Sequence, residues 1–355
     1  MRRARAFRLG SCQGLDEISV PTHMTPYLFV FAAFMAMFLT LEATAGRRAL
    51  TRTECWMLLL PLAIFAIAYA GRIGTDVENY ARLFDLAEGF PLEPGFSILM
   101  IGAKAIGLDY VDFTRLLALM EMLLLLSIVT RLRDPLFFLL FYLGSFYLNF
   151  QFNAIRNSLA LLIVAALYVR LPRAGLLALL SSTAIHYSSL LSLSLVRLSL
   201  SRRQKLATGL VVAAGCAIAL VWLKTDWLGA AAEGLSGYTG YLEQQYESKA
   251  VYPALLLKLC VAWLMYNNGG RRFYLTAYAM LVVLIHAVSP VLSRLGDLVL
   301  FLMLMDFCAN HRLVRRRMLA IGVSCVLVLS SLMIPWSDCQ NGGEANWCLS
   351  GPNGR

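Results

Sequence analysis

Three side chains able to do chemistry stand inside or at the rim of long apolar runs: Arg156, His186 and Arg294. If those runs are membrane spans, a charge there costs about 2.5–3.5 kcal/mol on insertion scales, so such residues are functional candidates by default. Arg156 follows Asn149-Phe150-Gln151-Phe152-Asn153-Ala154-Ile155, about one turn into a run whose far end carries Arg170 and Arg173. A guanidinium there can grip a phosphate or carboxylate with two parallel hydrogen bonds. The plainer alternative is an arginine snorkelling to lipid headgroups. His186 sits in the polar run Ser181-Ser182-Thr183-Ala184-Ile185-His186-Tyr187-Ser188-Ser189, where an imidazole can accept a proton, donate a hydrogen bond or, once charged, bind an anion. A satisfied structural partner is the alternative. Arg294 follows the Pro290 break and either binds an anion or pairs with Asp297 three residues on. Glu121 and Asp306 also fall in apolar runs, where a helix–helix hydrogen bond is the plainer alternative to a functional role.

The elements that must position these groups follow from composition. The 355-residue chain is 59% hydrophobic and 15% charged, with a mean hydropathy of +0.68. That is more apolar surface than one soluble core hides, so the solvent for it is lipid. Within hydrocarbon every backbone polar group must be satisfied by the chain itself, which leaves helices or a closed barrel. Runs such as 28–39, 56–70 and 210–223 are almost continuously apolar and lack the alternation of barrel strands. The expectation is an all-α, polytopic membrane bundle of about ten to twelve segments. The net charge of +10 does not point to nucleic acid, because the arginines form neither one face nor one tail. They cluster between spans, at Arg47/Arg48/Arg52, Arg131/Arg133, Arg170/Arg173, Arg202/Arg203/Lys205, Arg271/Arg272 and Arg312/Arg315/Arg316/Arg317, as cytoplasmic loops do under the positive-inside rule.

With those clusters on one side, the spans fall at 25–43, 55–72, 112–130, 135–151, 154–170, 207–223, 251–266, 273–289, 292–308 and 318–335. Residues 93–107 are too short to cross and read as a re-entrant or tilted helix. Residues 174–198 carry basic residues at both ends, which favours a hairpin of two half-helices with His186 at its tip. Segments 73–92 and 224–250 and the tail are left on the outer face. Three parts result: a basic extension, 1–23, with chain initiation at Met24 a candidate; one membrane domain, 24–336; and a polar tail, 337–355. Of eight cysteines, Cys339 and Cys348 invite a disulfide. The spacing of histidines and cysteines predicts no metal site, and no cofactor motif is present.

Short motifs in a fixed order between the apolar runs carry a resemblance. Gly74-Thr75-Asp76 with Tyr80, Glu93-Pro94-Gly95-Phe96, Asn153-Ala154-Ile155-Arg156 with Leu159-Ala160, His186-Tyr187-Ser188-Ser189 and Ser293-Arg294 together resemble the EpsG family, multi-pass proteins of exopolysaccharide clusters related in role to Wzy-type polymerases. The likeness runs from about residue 25 to residue 310; the basic start and the polar tail depart from it. It implies a multi-pass protein of the bacterial cytoplasmic membrane. There it would join undecaprenyl-pyrophosphate-linked oligosaccharide repeats at the outer face, working on a growing glycan chain beside other assembly proteins. Such a glycosyltransferase-type site needs cations for the diphosphate leaving group and a base for the accepting hydroxyl. Arg156 and Arg294 would serve as the cations without a metal. Asp76, Glu93 or His186 would serve as the base. Asp76 reads equally as a turn residue, and Glu93-Pro94 as a helix start. Tyr80, Asn153 and Tyr187 are candidates for substrate contact, though an interfacial aromatic belt explains the tyrosines as well. A transporter or flippase for lipid-linked glycans, or a non-catalytic assembly subunit, remains the rival class.

Overall fold

The computed structural model describes residues 25–45, 50–74, 76–86, 93–170, 182–186, 251–270, 275, 276, 278–280, 282 and 293–340. Ten α-helices stand among them, and no strand: α1 Thr25–Ala45, α2 Arg52–Tyr69, α3 Val77–Leu86, α4 Pro94–Ala105, α5 Tyr110–Val129, α6 Pro135–Tyr142, α7 Ile155–Arg170, α8 Val251–Asn267, α9 Ser293–Asn310 and α10 Arg317–Gln340. Between α6 and α7 the chain continues through two π-helical stretches, Leu143–Tyr147 and Asn149–Asn153.

Local chemistry sets these boundaries. Thr51 and Glu54 form a reciprocal capping box at the start of α2. The Asp109 carboxylate accepts from the Asp112 amide to begin α5, and Asp134 caps α6 just ahead of Pro135. The helices pack as a chain of neighbours, α1 on α2, α2 on α5, and α5 on α7, with α10 against the first π-helical stretch. One core of Phe, Tyr and Leu side chains runs through α1, α2, α6, the π stretches, α9 and α10. A second, smaller core joins α3, α4, α5 and the start of α7 around Tyr80, Phe84, Phe96 and Phe113.

Large apolar side chains also lie on the outside of the bundle. Phe29, Ile64, Ile98, Leu329 and Met318 are each more than half exposed. By length and apolarity, 26–44 and 52–69 qualify as membrane crossings, and the apolar stretches at 135–147, 255–267 and 317–333 are shorter. The other expected spans within the described residues are helical but fall short: α5 carries Asp112, Arg115 and Glu121, α9 carries Arg294, Asp297 and Asp306, and α7 is 16 residues long.

Three expectations change. Segment 73–92, read as an outer loop, contains α3, whose Tyr80 and Phe84 are buried one turn apart while Glu78, Asn79, Arg82 and Asp85 are exposed. Helix α10 runs to Gln340, past the expected tail boundary at 337. The span at 135–151 is not one α-helix but α6 continued by π turns. The 1–23 extension, most of the 174–198 hairpin, span 207–223, segment 224–250, most of span 273–289, Tyr187 and the Cys339–Cys348 pairing lie outside the described residues and side chains.

Away from the small core, one knot ties three helices. Asp134, 3% exposed, accepts through Oδ2 from the Leu313 amide at 2.8 Å and from Arg317 Nη1 at 3.4 Å. Arg317 in turn donates from Nε and Nη2 to the two oxygens of Glu42 at 2.5 and 2.7 Å. Removing this buried carboxylate leaves the Leu313 and Phe137 amides without an acceptor and strips Arg317 of one of its two carboxylate partners. We therefore expect Asp134→Ala to lower unfolding stability by about 3 kcal/mol, measured by thermal or denaturant unfolding in detergent.

Candidate functional site

The site is built where α7 begins. Ala154, with φ −114° and ψ 44°, breaks the helical path, and its amide reaches back five residues to the Asn149 carbonyl at 2.8 Å. Helix α7 then restarts at Ile155, so Arg156 stands in its first turn beside the small core. The loop after α2 locks the break from outside. Gly74, at φ +121°, lies so close that a Cβ would stand 2.3 Å from the Phe152 carbonyl oxygen and 2.9 Å from Asn153 Oδ1, so only glycine fits.

Glu93 comes from the other side. It is the N-cap of α4, and Pro94 occupies the first helical position as the Glu-Pro-Gly motif suggests. Its carbonyl accepts from the Ser97 amide and hydroxyl at 3.1 and 3.2 Å, but its carboxylate makes no cap. Instead the side chain, 1% exposed, turns inward. Oε2 accepts from Arg156 Nη1, and Oε1 faces His186 Nδ1. Against an ionised carboxylate, which only accepts, Nδ1 is the donor of this contact.

His186 is held by a short helical turn whose last hydrogen bond runs from its own amide to the Ser182 carbonyl, at 2.9 Å. That turn rests on α4 at Gly95, where an added Cβ would come within 2.8 Å of the Ala184 carbonyl oxygen. Glycine beside Glu93 is therefore what lets His186 reach the carboxylate.

Aromatic rings wall the guanidinium. Arg156 Nε donates to the Tyr80 hydroxyl at 3.2 Å, and its carbon lies 5.4 Å from the Tyr80 ring centre and 6.0 Å from that of Phe96. Burial, opposed by Arg156, pushes the Tyr80 phenol above its usual value, so it stays protonated at neutral pH. The Arg156 and His186 side chains are 21% and 15% exposed, while Glu93 behind them is closed off. The guanidinium and the imidazole thus share one open edge, with the carboxylate that touches both hidden behind them.

The residues singled out in sequence divide as follows. Arg156, His186, Glu93 and Tyr80 meet in one cluster, with Asn153 at the helix break next to it. Asp76 immediately precedes α3, and its carbonyl accepts from the Tyr80 amide at 3.0 Å, one helical turn from the cluster. Arg294 lies in the first turn of α9, but its side chain, like Tyr187, is outside the described set. Asp297, offered as its ion-pair partner, bonds Lys258 Nζ at 2.5 Å. Asp306 bonds the Tyr168 hydroxyl at 2.8 Å, the helix–helix role expected of it. Sequence reasoning missed Gly95 and Phe96 as site-forming residues, although both stand in the Glu-Pro-Gly-Phe motif. Among the described residues no group of three or more His, Cys, Asp or Glu can hold a metal.

A model of the EpsG family matches residues 54–346, which includes every residue of this cluster. No curated protein and no solved structure matches the chain. We expect Gly95→Val to push the 182–186 turn off α4, lowering stability by about 1–3 kcal/mol and raising hydrogen exchange at 182–186, as hydrogen-exchange mass spectrometry would register.

Proposed function

The chain belongs to the EpsG family, whose members are membrane proteins of exopolysaccharide biosynthesis, and we propose on that premise that it is a polymerase of lipid-linked oligosaccharides. In this reading it is a multi-pass protein of the bacterial cytoplasmic membrane. Its apolar exterior on α1, α2, α4, α5 and α10 supports that placement, since exposed Phe, Ile and Leu on so many helices suit lipid and not water.

The observation that carries the reading is the pairing of Arg156 and His186 on the two oxygens of one buried glutamate. Glycosyl transfer from a prenyl diphosphate breaks the bond between the anomeric carbon and the diphosphate oxygen. It forms a bond from that carbon to an acceptor hydroxyl, which must lose its proton. Negative charge grows on the departing diphosphate, and a preorganised guanidinium stabilises it more in the transition state than in the ground state. His186 Nε2 takes the hydroxyl proton, with Glu93 holding the tautomer and stabilising the imidazolium that forms. Glu93, one of three candidate bases in sequence, is in this reading the orienting carboxylate, because both its oxygens are engaged away from the open edge. Tyr80 and Phe96 hold Arg156 flat, and their rings offer an apolar flank to a sugar face.

An apolar groove of about 460 Å³ between α1 and α2, lined by residues including Phe29, Met37, Met57, Leu60, Ile64 and Tyr69, suits part of a prenyl tail. Its wall residue Phe65 meets Phe152 edge-on at 5.7 Å, one residue before Asn153 at the helix break. A transporter would also use a cationic cavity, but a base locked by its own carboxylate favours chemistry over passage.

The test is polymerisation in liposomes with the undecaprenyl-pyrophosphate-linked repeat unit of the same gene cluster. Wild type is expected to give a ladder of lengthened glycans. Arg156→Ala should reduce it at least about 100-fold, and Arg156→Lys should also fail because an ammonium lacks the planar fork. Repeat units moved across the bilayer without lengthening would show transport instead.

A further inference from the structure

At the end of the bundle opposite the Glu93 cluster, three separate segments meet in one strongly basic face. Arg156 stands in the first turn of α7 and Arg170 ends it, and Arg170 Nε donates to Ser127 Oγ near the end of α5, just ahead of the turn that carries Arg131 and Arg133. That turn is tied to the loop between α9 and α10. The Arg133 amide donates to the Cys308 carbonyl at 2.8 Å, Arg133 Nη1 to the Asn310 carbonyl at 3.1 Å, and Arg312 Nε back to the Arg133 carbonyl at 2.8 Å. From just past α8, Asn268 Oδ1 accepts from the Val314 and Arg315 amides at 3.0 and 2.7 Å. Arg316 is held at φ 59°, a left-handed conformation uncommon for any residue but glycine, with its guanidinium carbon 4.5 Å from the Trp263 ring centre. Such backbone persists only where the surroundings over-determine it, and it collects at ligand clamps. Arg131, Arg133, Arg312, Arg315 and Arg316 are exposed, while the acids of these stretches, Asp134 and Asp306, are buried and bonded inward. Positive charges fixed together in this way repel one another and favour an anion that covers them.

We propose that this face is a binding site for the headgroup of an anionic glycerophospholipid of the cytoplasmic leaflet. The positive-inside rule puts these arginine clusters on that side, and a guanidinium matches a phosphate through its planar fork. A soluble anion would account for the arginines alone. The surface beside them is apolar: Val314, Met318 and Leu319 are each at least half exposed. From Leu319 the exposed positions Gly322, Val326, Leu329 and Met333 recur every three or four residues, one stripe along α10. At 1.5 Å per residue the stripe is about 20 Å long, enough to flank an acyl chain through one leaflet of about 15 Å. Phosphate site and chain site are therefore continuous, which a lipid uses and an acidic protein segment does not. The loop is already fixed by Asn268 and Arg133, so binding orders little backbone. The proposal needs the membrane placement and does not depend on the polymerase reading.

The experiment is native mass spectrometry of the purified full chain titrated with dioleoylphosphatidylglycerol or dioleoylphosphatidylcholine, with thermal unfolding in the same detergent. Wild type is expected to bind phosphatidylglycerol at least about tenfold more tightly than phosphatidylcholine and to gain about 4 °C from it at low salt, an advantage that high salt erodes. The double variant Arg131→Gln with Arg315→Gln, at exposed positions, should lose that preference while melting close to wild type in phosphatidylcholine. Arg316→Asn, which tolerates the left-handed backbone, should weaken it by about fivefold. Arg82→Gln with Arg115→Gln, which removes the same formal charge at the other end of the bundle, should leave it unchanged. No preference in wild type, or equal losses in the Arg82/Arg115 pair, would overturn the proposal, the second by showing bulk charge and not a site. An equal thermal gain from inorganic phosphate would overturn it in favour of a soluble anion, and a gain from polyglutamate but not from phosphatidylglycerol in favour of an acidic protein.

Discussion

A carboxylate closed off from solvent must be compensated on both oxygens, and Glu93 meets that constraint by recruiting two separate elements. One oxygen takes Arg156 from the start of α7 and the other takes His186 from the 182–186 turn. Removing either partner leaves charge stranded in a low-dielectric place, which costs several kcal/mol. The carboxylate therefore fixes where the cation and the imidazole stand relative to each other. The second core, Tyr80, Phe84, Phe96 and Phe113, supplies the dry wall that keeps water from competing for the pair.

The backbone features nearby serve the same end. An unbroken helix from α6 through α7 would carry Arg156 on a face set by regular turns. The π stretches and the break at Ala154 re-aim it, and Gly74 holds the break in place. Gly95 does the complementary thing on α4 by letting the Ala184 backbone approach. Close backbone approach collects around Glu93 and Arg156, whereas the far end of the bundle is held by the charge knot of Asp134, Arg317 and Glu42.

Apolar runs located most helices within the described residues, because a span's signal is its length and composition. Arg156 was legible for a related reason, since a charge in such a run is expensive. The role of Glu93 was not. Glu-Pro reads locally as a helix start, which it is, and nothing in one sequence reveals that its side chain forgoes capping for partners 63 and 93 residues away. Helix α3 was obscured by its charged residues, though Tyr80 and Phe84 at i and i+4 carried the amphipathic signature. The π stretches were unreadable because their Phe-rich sequence suits any buried helix. Glu121 was legible as a helix–helix hydrogen-bond partner, but its partner Gln151, brought in by the second π stretch, was not.

The most direct measurement of the central claim is a double-mutant cycle across Glu93 and Arg156, read as polymerisation rate in liposomes with folding verified for each variant. If one carboxylate organises the site, Glu93→Gln and Arg156→Ala are strongly non-additive, and the double variant loses little more than Arg156→Ala alone. Losses that multiply independently would show that the two residues act separately, and the account of a shared site would be contradicted.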